Sequence, residues 1–309
     1  MHQPAPYYDD VSRGPKGGRA AWMRTSDGVR IRVGLWPAEG ARGTVLIFPG
    51  RTEYIEKYSD TAREFATRGL ASVAIDWRGQ GLADRAAPDS KLGHVTSFDE
   101  YQRDVDAALE IVREAGLPEP YYLFAHSMGG CIGLRSLMRG LPVKAAAFSA
   151  PMWGLELKFR TRVAAWIGSA IAVNTGLAQR YAPGTDAAAE PTSMPFEDNP
   201  LTRDQDMFSW MQSQTAAYPE LLVGGPSMGW LNAALRETHA LAREAAPDIA
   251  CACWLGTAER IVEADAIHIR MNAWTGSVLH IVEGAEHEVA MEGAAIRGDL
   301  FDGCAGLFV

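Results

Sequence analysis

The sequence predicts an α/β protein built on a doubly wound, mostly parallel sheet, and three observations carry that prediction. Short apolar runs recur at residues 44–48, 71–75, 121–125, 145–149, 251–255 and 278–282. They are apolar throughout rather than at alternate positions, which suits strands covered on both faces, as parallel strands are. Amphipathic segments of helical length separate them; over 98–116, for instance, Tyr101, Val105, Ala108, Leu109 and Val112 recur at helical spacing. Strand and helix therefore alternate, the pattern of a sheet with helices on both faces.

Taken in order, residues 1–20 are rich in Pro and Gly up to Gly18 and read as a loose N-terminal tail. The core is expected over residues 21–152 and 240–309. Its early strand at 30–36 alternates, with Ile31, Val33 and Leu35 on one side, after an Asp27-Gly28 turn. That period of two predicts an antiparallel strand near a sheet edge. Between Ser149 and Cys251 no strand-like run occurs. Residues 153–239 are expected to form a helical insertion. It holds a helix over about 155–181, a loop rich in Pro, Ala and acidic residues over 182–200, and then helical segments rich in Trp and Met. Ligands bind at the carboxyl edge of an α/β sheet, so an insertion between two core strands reads as a lid there. A subdomain that only packs is the alternative. No internal repeat is present.

Composition narrows the class. The chain has 309 residues, 47% apolar and 22% charged, enough for a sizeable core. Its 29 basic and 38 acidic residues give a net charge of −9, against the basic face that nucleic acid requires. The N-terminus lacks the basic-then-apolar pattern of a secretory signal. The apolar stretch at 164–173 is too short to span a bilayer and is broken by Gly168 and Ser169. A soluble, cytoplasmic protein is expected. Cys131, Cys251, Cys253 and Cys304 do not resemble a disulfide framework in a chain of this length. Cys251 and Cys253 point to one side of a strand, and no further metal ligands lie near them in sequence. They read as buried thiols, and no metal or cofactor is expected.

The chemistry gathers around residues 121–130. An apolar strand runs straight into His126-Ser127-Met128-Gly129-Gly130, and a helical segment follows. Strand, tight turn and helix are the setting of a nucleophile elbow, where the nucleophile takes a strained backbone. Residues two before and two after it must be small; Ala125 and Gly129 are. Ser127 is the candidate nucleophile, with a helix-capping serine as the plainer alternative. A serine needs a base held by an acid, and at such an elbow they follow in the order acid, then histidine.

His2, His94 and His126 precede Ser127. His239 lies in or just after the insertion, His268 in a helical stretch, and His280 inside a strand, where a core or lining role fits better. His287 lies in a loop past the last strand, where the base belongs. Glu259, in the loop after the strand at 251–255, is the candidate acid, ahead of Asp265 in the following helix. The oxyanion needs backbone N–H donors. Met128, next to the nucleophile at a helix start, offers one. Arg51 offers the other, after the strand at 44–48 and the turn Pro49-Gly50.

Four segments resemble the α/β-hydrolase superfamily, and within it the lysophospholipase and monoacylglycerol-lipase-like group. They are Gly50, Glu53, Lys57 and Tyr58 after the first parallel strand; Asp76, Arg78, Gly79 and Gly81 after the second; the elbow at Ser127; and the loops of Glu259 and His287. Pro49, Ala125 and Glu259 stand where the group usually has histidine, glycine and aspartate. The resemblance implies a serine carboxylester hydrolase that acts without a cofactor on a lipid-like monoacyl ester, a lysophospholipid or monoacylglycerol. It also implies an organising role for the Asp76–Gly81 segment. Acyl transfer, thioester or C–C cleavage would use the same triad, and a non-catalytic binding protein could share the fold. The position of Arg51 would place its side chain near a phosphate head group, should the substrate carry one.

Overall fold

The computed structural model describes residues 3–189 and 194–308; His2 and part of the 182–200 loop lie outside them. The strands are β1 (Gln3–Ala5), β2 (Arg19–Arg24), β3 (Arg30–Trp36), β4 (Thr44–Phe48), β5 (Ala71–Asp76), β6 (Tyr121–His126), β7 (Val143–Ser149), β8 (Ala250–Gly256) and β9 (Val278–Val282). They form one sheet in the order β1-β2-β3-β5-β4-β6-β7-β8-β9. The six predicted apolar runs form its parallel part, β5 to β9 in that spatial order. β1, β2 and β3 add antiparallel strands at one end.

Helices α1 (Ser59–Thr67), α2 (Asp99–Glu114), α3 (Ser127–Met138), α7 (Ala264–Asn272) and α8 (Ala294–Leu307) cover the sheet. One buried cluster packs Ile75, Ile111, Leu134, Phe148 and Trp274 on the α2 and α3 side. Another packs Phe65, Phe124, Phe301 and Phe308 on the α1 and α8 side. Both faces are dry, which is why the strands carry no polar alternation. Cys131, Cys251, Cys253 and Cys304 are buried free thiols.

Two expectations need correction. The first 20 residues are not a loose tail. β1 pairs with β2, and the Trp36 indole donates to Tyr7 Oη at 3.0 Å. Pro and Gly there shape turns instead of preventing order. β3 is antiparallel as expected and lies two strands in from the sheet edge, between β2 and β5. Its polar Arg32 is fully buried, in ion pairs of 2.7 Å with Glu56 and with Asp76. Period-two polarity signals water only where no buried partner waits, and two carboxylates wait here. β9 is the opposite case. It closes the sheet edge, and Val278 and Ile281 are half exposed. His280 stacks on Trp254 on that open edge instead of lining a core.

Between β7 and β8 lie α4 (Phe159–Asn174), α5 (Gln205–Ala217) and α6 (Met228–Leu241). α4 is shorter than expected because Gly176, at φ 81°, ends it in a left-handed turn. α4 rests on α6, where the Asn232 amide donates to Ser169 Oγ at 3.1 Å. No helix among the described residues is long and apolar enough to cross a membrane.

Candidate active site

The site forms where the loops after β4, β6, β8 and β9 meet at the carboxyl edge of the sheet. β6 delivers Ser127 into the first position of α3 with φ 49°, a left-handed conformation that a serine adopts only when its surroundings force it. The forcing is visible at Gly129. A Cβ there would lie 2.0 Å from the Phe48 carbonyl oxygen, so α3 can approach β4 only with glycine at that position. Ala125, where a glycine is more usual, meets a complementary gap. A Cβ on Gly133 of α3 would come within 3.3 Å of the Ala125 methyl. The bulk added on the strand is matched by bulk missing on the helix.

The predicted base and acid meet. His287 Nδ1 lies 2.6 Å from Glu259 Oε2, and both side chains are buried. The other carboxylate oxygen of Glu259 accepts from the Ile261 amide at 2.6 Å and the Val262 amide at 3.1 Å. Burial alone would raise the Glu259 pKa, but His287 and the two amides outweigh it and hold the carboxyl below its ordinary range. With Nδ1 facing a carboxylate, Nε2 is the ring atom left to take a proton. Asp265, the alternative acid, sits exposed in the first turn of α7.

The other described histidines are engaged elsewhere. His94 pairs with Ser227 Oγ at 2.7 Å, and His239 packs edge-on against Trp166. His268 lies on α7. His126 is close to the site, its ring centroid 4.7 Å from that of His287. Its Nδ1 faces the Ser149 carbonyl at 3.0 Å, and burial pushes its pKa down to about 3, so it is neutral.

Around the oxyanion loop, the Gly50 amide donates to Glu53 and the Thr52 amide to Gln80. No described residue accepts from the Arg51 amide that lies between them. Met128 lies in the first turn of α3, where backbone N–H groups have no acceptor within the helix.

Close to this loop lies a buried ion cluster that no local motif announces. Lys57 Nζ bridges Glu53 at 2.6 Å and Glu288 at 2.7 Å, and Tyr58 Oη donates to Glu53 at 2.6 Å. Burial would raise Glu53, but the Lys57 ammonium holds it low. Burial raises Glu288. Glu53, His126 and Glu288 bring donor atoms within 4.8 Å of one another, and the ammonium supplies their cation. Neighbours in sequence of Ser127, His287 and Arg51 are thereby tied to one another. In the sequence Glu53, Lys57 and Tyr58 stand out only through the family resemblance, which assigned them no role; Glu288 carries no local signal. Asp76 has the organising place expected of it, accepting from the Ile55 and Leu82 amides at 2.8 Å each.

Ser127, His287, Arg51, Glu53, Lys57, His126 and Glu288 line one cavity of about 130 Å³. The insertion roofs it with Leu201, Met211, Thr215 and Leu222. The roof is tied down at its edge: the His287 and Glu288 amides donate to the Pro200 and Leu201 carbonyls at 3.2 and 2.8 Å. A larger open groove beside Tyr7, Gly14 and Glu114 holds no histidine.

A family model described as "Serine aminopeptidase, S33" matches residues 39–294. Lysophospholipase L2 of Escherichia coli (strain K12) is 29% identical over 280 residues, covering 88% of this chain and 82% of that protein. Probable lysophospholipase L2 of Haemophilus influenzae is 26% identical over 266 residues, covering 85% of this chain and 82% of its own. Among solved structures, the chain resembles a soluble variant of monoglyceride lipase from Saccharomyces cerevisiae in complex with a substrate analog. The TM-score is 0.72 at 18% identity, with 98% of this chain and 97% of that one covered, a likeness of fold.

Proposed function

Because this chain belongs to the serine aminopeptidase S33 family of α/β hydrolases, we propose that it cleaves the carboxylic ester of a lysophospholipid or monoacylglycerol through an acyl-enzyme on Ser127. The observation that carries this reading is the convergence of a left-handed Ser127 and the His287–Glu259 pair on one cavity. Ser127 attacks the ester carbonyl, and His287 takes its proton and returns it to the leaving alcohol. Glu259 fixes the ring and stabilises the imidazolium. The Arg51 and Met128 amides receive the oxyanion. Water then repeats the sequence on the acyl-enzyme.

The substrate class draws on the names of the relatives and on the cavity. An aminopeptidase needs a free carboxylate for the substrate's ammonium group. The lining carboxylates here, Glu53 and Glu288, already share Lys57. The roof side chains Leu201, Met211 and Leu222 are apolar and suit an acyl chain. At about 130 Å³ the cavity is smaller than drug-sized ligand sites of about 300–1,000 Å³, so a long acyl chain requires the roof to shift. On this reading residues 153–239 act as a lid.

A fluorophosphonate probe tests the nucleophile. Labelling of the native chain and none of Ser127→Ala is expected; labelling that persists in the variant would sink the assignment. A panel of p-nitrophenyl esters, monoacylglycerols and lysophospholipids tests the substrate. Turnover of none of them would point to a binding protein on this fold or to other triad chemistry.

A further inference from the structure

We propose that the Arg51 guanidinium is an anion subsite for the phosphate of a monoacyl phospholipid. This rests on the ester-hydrolase reading of the same cavity and narrows its substrate to the phosphorylated class.

Two buried arginines elsewhere in the molecule are partnered by carboxylates. Arg32 is enclosed by Glu56 and Asp76, and Arg78 by Asp27, Glu100 and Asp104. Those two charges are neutralised on the spot by carboxylates. Arg51 is different. Its Nη1 donates to the Gly224 carbonyl at 2.9 Å, and its guanidinium lies 5.6 Å from the centre of the Trp230 ring. No carboxylate among the described residues pairs with it. Burial lowers its pKa to about 10, which leaves it charged at neutral pH.

Position gives that charge a purpose. Arg51 lines the cavity that holds Ser127 and His287. A carbonyl and an aromatic face anchor the group without neutralising it. A Cβ on Gly93 would stand 3.3 Å from Nη1, so glycine there lets the chain pack against the fork. A guanidinium carries five N–H donors in a plane that matches two phosphate oxygens. The residue's own backbone N–H, for which no described residue is an acceptor, is the proposed oxyanion donor. An arginine side chain is of similar length to the glycerol unit that separates ester from phosphate in a monoacyl phospholipid. One residue would thus hold both ends of the reacting group. The hydroxyls of a monoacylglycerol would leave the cation without a counter-charge.

The test compares lysophosphatidylglycerol with a monoacylglycerol of the same acyl chain, in the native chain, Arg51→Met and Arg51→Lys. Loss of a charge-assisted hydrogen-bonded contact is expected to lower the phospholipid-to-neutral ratio of kcat/KM in Arg51→Met by about 10–100-fold, mainly through KM. Arg51→Lys, which keeps charge but not the fork, should recover part of the ratio. An equal fall for both esters would overturn the proposal, because it would mean that Arg51 only holds its loop. Calorimetry with glycerol 3-phosphate and with inorganic phosphate supplies a readout that does not depend on turnover. Binding of the former that is weakened in Arg51→Met supports the subsite even if neither ester is cleaved, in which case the ester reading alone fails. Tighter binding of inorganic phosphate than of glycerol 3-phosphate would assign the subsite to the free ion and overturn the lipid assignment. Binding of neither, or equal binding by both proteins, overturns the subsite.

Discussion

The floor of the cavity is held by hydrogen bonds and ion pairs among core loops, whereas its roof is mainly apolar side chains from the insertion. Glu259 is gripped by two amides and a histidine, and Lys57 ties the loops of Arg51 and His287 together. Above them, Leu201, Met211 and Leu222 offer shape. Directional contacts tolerate little displacement, while packing between apolar side chains can re-form after a shift. Substitutions in the floor should therefore change the rate of chemistry, and substitutions in the roof should change which substrate is chosen.

The strongest way to break that division is Glu259→Gln. It should lower kcat by about four orders of magnitude with KM little changed, because the amide no longer supports the imidazolium. A loss of less than tenfold would remove Glu259 from the proposed triad. The same variant has a signature in stability. The Glu259 carboxyl is held below its unfolded value of about 4.3, so its contribution is whole above that pH and is lost as pH falls through the folded value. Urea midpoints measured from pH 6 downward should fall less steeply in Glu259→Gln than in the native chain.

Gly129→Ala comes next. Its methyl would meet the Phe48 carbonyl, and the expected cost is roughly 3 kcal/mol in chemical unfolding. An unchanged midpoint would mean that the elbow is less tightly seated than its geometry implies. In the roof, Leu222→Ala should lower kcat/KM for a long-chain ester about tenfold and leave an acetate ester nearly untouched. Equal losses on both esters would erase the distinction between floor and roof. Smallest is Ala125→Gly, expected to cost about 1 kcal/mol of stability and to change kcat by less than about threefold. A large gain in kcat would show that the methyl facing Gly133 crowds the nucleophile.

The parts of this arrangement that were legible in the sequence are those fixed by local sterics. An apolar strand, two small residues around Ser127 and a following helix can only turn one way, so the elbow announces itself. The loops of Glu259 and His287 follow from strand order. Partners brought together by the fold were not legible. Nothing near Arg32 in sequence announces its partners Glu56 and Asp76, which lie far along the chain. Glu288 gave no sign that it would share a lysine with Glu53. The Pro and Gly content of the N-terminal residues predicts a loose tail, because it reports backbone preference and not what the backbone docks against. The exposed edge of β9 was hidden by apolar residues that the same strand would carry if it were covered.

That N-terminal segment has a practical consequence. The Trp210 indole and the Gln214 amide of α5 both donate to the Val11 carbonyl, at 2.9 and 3.0 Å. Tyr8 stacks on Tyr218 with ring centres 3.6 Å apart, and Tyr218 Oη bonds Asp10 at 2.8 Å. Gln214 also accepts from Tyr54, which lines the cavity. The opening residues thus act as a strap, buckled to the sheet at one end and to the roof at the other. Trimming them for expression, or fusing a bulky tag beside them, would amount to loosening a hinge pin, and an assay run on such a protein would report on a differently tensioned enzyme.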